Sequence, residues 1–126
     1  MSSPKFERVK RLNPRLSDLL EKLGAYIGTQ INAGQPFIIP KLAAAALGLN
    51  DGEAFVLLEL LAQGEVLQRV YNVYCRETDM LLATVDSIDA LEKVPHCDYC
   101  DGDHSTRELK VEIAFRPKSS STVLAA

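Results

Sequence analysis

Two cysteines and both histidines of the chain fall within eleven residues, "VPHCDYCDGDH", Val94 to His104. Zinc takes four ligands in a tetrahedron, and a Cys-x-x-Cys pair sets two thiolates on one side of the ion through a tight turn. Cys97 and Cys100 have that spacing, and Gly102 lets the backbone turn beyond them. Cys75 supplies a third thiolate. The fourth position goes to His104, because three intervening residues after Cys100 leave room to bring its imidazole back to the ion. His96 is the alternative, although its place beside Cys97 makes it sterically awkward as a co-ligand. With all four ligands from protein, such a zinc site is closed, structural and non-catalytic.

Other chemistries fit these residues less well. Three cysteines are an odd number, so internal disulfides cannot use them all. A redox pair needs a thiolate stabilised by cations or a helix N-terminus, whereas Asp98, Asp101 and Asp103 surround this one. Free thiols or a labile disulfide remain open. "DYCDGD" lacks the ligand spacing and distal glutamate of a calcium loop. No phosphate-cradling glycine loop or nucleophile with an evident histidine partner occurs, so the expectation is a non-enzymatic chain.

A chain of 126 residues, 47% hydrophobic and 25% charged, is enough for one globular domain with an ordinary core. No apolar run approaches the ~20 residues of a membrane span, and the N-terminus lacks the apolar centre of a signal peptide. A cytoplasmic protein is expected. The net charge of −3 is unevenly distributed. In the first fifteen residues Lys5, Arg8, Lys10, Arg11 and Arg15 oppose only Glu7, whereas residues 77–103 carry eight acidic side chains against Lys93. Of these two segments, only the basic arm, residues 1–12, invites a phosphate backbone.

The elements that must position these residues can be read from spacing. Asn13-Pro14 reads as an N-cap and a first helical position, followed by Leu16, Leu19, Leu20, Leu23, Ile27 and Ile31 at helical intervals. "NAGQP" ends this helix, and "FIIP" is a short extended piece. A second helix runs from Pro40 to the terminating Gly48, and a third, capped within Asn50-Asp51-Gly52, from Glu53 to about Gln63. "EVLQRVYNVYC" and "RELKVEIAFR" then read as strands, with Leu109, Val111, Ile113 and Phe115 on one face. Between them "MLLATV" suggests a short third strand and "SIDALEKV" a helical turn. The tail, 118–126, is small and polar and reads as disordered.

The residues "PFIIPKLAAAALGLNDGEAFVLLELLAQGEV", an entry strand, an alanine-rich helix closed by "LGL" and a leucine-rich helix closed by glycine, resemble a winged helix-turn-helix domain. The resemblance covers about residues 13–76 and 107–116. It implies an α+β fold, three helices and a small antiparallel sheet over residues 13–117, with residues 76–106 as an insertion between wing strands. Cys75-Arg76-Glu77-Thr78 paired with Cys97 and Cys100 resembles a zinc ribbon in which Thr78 replaces one cysteine. Such a metal would order an insertion with few large apolar residues of its own.

In winged-helix proteins that read DNA, the third helix carries cations or amides to base edges. Here "EAFVLLELLAQ" has no basic residue, and Glu53 and Glu59 have the wrong sign for phosphates. It is also apolar on nearly every side. A surface helix needs about half of those residues for its core. Val56, Leu57 and Leu60 are therefore candidates for an exposed face that meets a protein partner or a second copy, as a homodimer; cover from the wing and insertion is the other reading. DNA binding is the alternative function. It would rest on Arg8, Lys10 and Arg11 of the arm with Arg69 and Lys110 of the wing.

Overall fold

The computed structural model describes residues 3–87, 89 and 109–118. It has an α+β architecture and divides into two compact units, Met1–Gln68 with Phe115–Ala126, and Arg69–Ala114.

The helices belong to the first unit. They are α1 (Pro4–Leu12), α2 (Ser17–Asn32), α3 (Pro40–Leu47) and α4 (Asp51–Gln63). The basic arm is thus itself a helix. Ser3 Oγ accepts the Phe6 N–H at 3.2 Å, Pro4 occupies the first turn, and Lys10 and Arg11 sit in the last turn, where the helix dipole favours cations. Asn13 caps the end of α1 and not the start of α2: its Nδ2 donates to Val9 O at 2.9 Å and makes no N-terminal cap. A single 3₁₀ turn, Pro14–Leu16, leads into α2.

The turn signals for the other helices hold to within a residue or two. α3 begins at Pro40 and ends on Gly48 in the left-handed region, φ +69°. α4 has a reciprocal capping box, with Asn50 Oδ1 accepting Glu53 N–H at 2.8 Å and Glu53 Oε1 accepting Asn50 N–H at 3.0 Å. The core gathers Leu20, Leu23 and Ile27 of α2, Ala43 and Ala44 of α3, and Ala54, Leu57, Leu58 and Leu61 of α4. Phe6 and Val9 of α1 are also buried, and glycines make way for both. Phe6 covers Gly24, and Val9 lies against Gly64 so closely that neither glycine leaves room for a Cβ. Burying two such side chains contributes about 3–6 kcal/mol toward holding α1 in place. Ile38 closes the unit by exchanging two backbone hydrogen bonds with Phe115, at 2.7 and 3.0 Å. Lys118, the first tail residue, donates its N–H to Val66 O, and the rest of the tail lies outside the described residues.

The three-stranded antiparallel sheet, ordered β2-β1-β3, is formed by β1 (Leu67–Cys75), β2 (Leu81–Val85) and β3 (Leu109–Pro117). Its central strand β1 is buried from Val70 through Val73, so both of its faces are covered there. Tyr71 pairs with Val85, Asn72 with Thr84 and Val73 with Ala83; the register then slips to Tyr74 with Leu81. After Cys75 the chain turns back, with Cys75 N–H donating to Met80 O and Asp79 N–H to Cys75 O. β3 departs from simple alternation: Leu109 and Phe115 are buried as expected, but so is Ala114, while Val111 is exposed. The short helical reading for "SIDALEKV" falls mostly outside the described residues.

Candidate interaction surface

α4 is apolar on two sides, and packing separates them. Ala54, Leu57, Leu58 and Leu61 recur at helical intervals of three and four and form the inward stripe. Val56 points outward and is 55% exposed, Leu60 is half-buried, and Leu57 is only 3% exposed. The expected exposed trio is therefore corrected at Leu57. It stands three residues after Ala54 and four before Leu61, which places it in the core stripe.

Along the outer side of α4 runs a trough, all of it within the first unit. At the N-terminal end of α4, Leu16 and Leu19 face Glu53, Val56 and the base of Leu57 across an apolar hollow of about 480 Å³. At its C-terminal end, Arg8 and Leu12 of α1 face Leu60 and Gln63 over Val9. A third hollow, lined by Asn13, Pro14, Arg15 and Leu16, shares Asn13 with one of these and Leu16 with the other. Leu12, lining one hollow, is 69% exposed, and Val56, lining the other, is 55% exposed.

Along this trough Glu53 stands at one end and Arg8 at the other, with Arg15 between them and Lys5 and Glu65 beside Arg8. α4 carries Asp51, Glu53 and Glu59 and no cation, with Asp51 and Glu53 at its N-terminal end. Arg8, Arg11 and Arg15 on and after α1 are exposed and make no ion pair among the described residues. Lys5 pairs with Glu65 at 3.7 Å.

Of the five cations expected to serve a nucleic acid, three are already engaged. Lys10 donates to Glu21, pairs with Glu7 at 3.1 Å, and lies 5.1 Å from the centre of the Phe6 ring. Its side chain is 15% exposed, and the hydrogen bond it donates to Glu21 holds its pKa above the usual lysine value, with Glu7 adding to the effect against a desolvation cost. Arg69 stacks over Tyr71 at 5.7 Å, and Lys110 pairs with Glu112 at 3.3 Å. Arg8 and Arg11 remain available.

Of the expected zinc ligands, Cys75 is described and the others are not. It is fully buried at the end of β1. Cys97, Cys100, His104 and the alternative His96 lie outside the described residues, and no group of three or more metal-ligating side chains occurs among those described.

One polar residue escaped the sequence reading. Asn72 is fully buried within β1; its Oδ1 accepts the Thr84 hydroxyl at 2.7 Å, and its Nδ2 has no hydrogen-bond partner among the described residues. The signal was an asparagine in an otherwise valine- and tyrosine-rich strand. Such a group normally has its donors satisfied when buried.

Among the described residues no helix is long and apolar enough to cross a membrane. Comparison with known protein families, curated proteins and solved structures finds nothing that matches the chain.

Proposed function

We propose that this chain is a non-enzymatic protein-interaction module of winged-helix type that docks through the outer face of α4. The observation that carries the reading is the exposure of Val56 on a trough whose α4 wall bears the carboxylate of Glu53 and no cation. Support for the winged-helix type comes from the order of elements after α1: a helix, the single paired residue Ile38, two helices and then strands, with Ile38 bridged to the returning strand at Phe115. In that arrangement α4 takes the position of a recognition helix, and its charges disfavour a phosphate backbone. The insertion is held by a structural zinc ion on Cys75, Cys97, Cys100 and His104. Cys75 suits that role by position, buried at the end of β1 with its backbone held on both sides of the turn that follows.

DNA binding is the second reading, favoured by Arg8 and Arg11, which are exposed and make no ion pair among the described residues. A titration with unrelated duplex DNA over a salt series separates the two. The interaction reading expects no binding at physiological salt, or weak binding that Arg8→Ala and Arg11→Ala remove while protein association persists. Tight binding that falls steeply with salt and survives Val56→Glu supports the DNA reading.

A further inference from the structure

We infer that the partner seated on the α4 trough is a second copy of this chain, packed end for end as a two-fold homodimer. The inference rests on the interaction reading above and specifies its occupant. Charge order along the trough decides between partners. Arg8 stands at the end of the trough beside Leu60 and Gln63, and Glu53 at the opposite end beside Val56. From Glu53 to Gln63 is ten residues of helix, or about 15 Å. A partner helix of uniform charge would meet one favourable end and one repulsive end. A second copy turned end for end sets Arg8 of each chain toward Glu53 of the other, so both ends are satisfied at once.

Shape agrees with charge. The face carries a knob and a hole close together: Leu12 projects from the end of α1, and the apolar hollow bounded by Leu16, Leu19 and Val56 lies beyond the next turn. In a two-fold interface each knob meets the other copy's hole, which requires both features on one face. Val56 and Leu60, one helical turn apart, exchange places across the axis, so that each faces the other's counterpart.

Sedimentation equilibrium of the full chain over a concentration series tests this. The expected result is a reversible dimer of twice the 13.9 kDa chain mass. Val56→Glu and Leu12→Glu should each weaken the dimer by at least about a hundredfold, as interface anchors do, with helical content and urea midpoint close to those of the unsubstituted monomer. Charge pairing is read from a double-mutant cycle on Arg8→Ala and Glu53→Gln, the glutamine being compatible with the capping box. Each alone should weaken the dimer about tenfold, and together they should cost clearly less than the product.

A monomer at every concentration overturns the inference, as does a dimer indifferent to Val56→Glu and Leu12→Glu, or strictly multiplicative effects in the cycle. A monomer whose Val56 face binds a different protein leaves the interaction reading standing and removes only the second copy. A monomer with no Val56-dependent association of any kind removes both.

Discussion

The ring of Phe6 occupies the space in which Gly24 would carry a side chain: a Cβ there would stand 2.6 Å from the ring's Cζ. Alanine normally improves a helix interior by about 0.5–1 kcal/mol over glycine. Here the sign should reverse. Gly24→Ala is expected to destabilise the chain by about 1–3 kcal/mol through overpacking, and Gly64→Ala to act likewise against Val9. The pair Phe6→Leu with Gly24→Ala should recover part of the loss. Urea unfolding measures all of these, and a stabilised Gly24→Ala would show that α1 does not dock on α2 through this contact.

Val56 and Leu57 are neighbours in sequence and opposites in environment, 55% and 3% exposed. Leu57→Ala should cost about 2–5 kcal/mol, and Leu57→Glu should prevent folding, since a carboxylate would enter the core without a partner. Val56→Glu should change monomer stability by less than about 0.5 kcal/mol. Similar urea midpoints for Val56→Glu and Leu57→Glu would contradict the division of α4 into two faces.

Zinc binding is checked by elemental analysis of the purified chain, with about one ion per chain expected. Cys97→Ser or Cys100→Ser should release it while far-UV circular dichroism retains the helical signal. His104→Ala should weaken zinc retention much more than His96→Ala. Equal effects of the two histidine substitutions would defeat the choice of His104, and a metal-free chain would defeat the site.

Two groups tie stability to alkaline pH. Lys10 is held above its usual 10.5 chiefly by the hydrogen bond it donates to Glu21, and Tyr26 above its usual 10.0 by burial. In both cases the folded chain binds its proton more tightly than the unfolded chain does. Their contribution to stability is therefore complete below about pH 10 and is lost as pH rises through the folded values. Urea midpoints should fall between about pH 10 and 12, and Tyr26→Phe should flatten part of that fall. A profile unchanged by Tyr26→Phe would mean that the phenol takes no part.

The extents of α3 and α4 were legible in the sequence because local chemistry sets them. Pro40 can start a helix, Gly48 can adopt a left-handed φ, and Asn50 with Glu53 can cap reciprocally, whatever else surrounds them. The strands β1 and β3 were legible from valine- and tyrosine-rich composition and alternation, although exposed Val111 and buried Ala114 within β3 depart from that alternation. The cysteine spacing likewise proposes its metal without knowledge of the fold.

Tertiary structure alone decided the rest. α1 was hidden because four cations dominate the arm's composition, while what makes it a packed helix is two side chains meeting two glycines far along the chain. Asn13 offered an N-cap to the next helix, but the chain direction after α1 turned its amide back to Val9. A helix apolar on nearly every side cannot declare which side is buried; the positions of Ala54 and Leu61 against the core drew Leu57 inward and left Val56 out. The basic residues could be counted from sequence, yet only packing determined that Lys10 is spent on Glu7, Glu21 and Phe6 while Arg8 makes no ion pair among the described residues, because pairing depends on distances that composition does not contain.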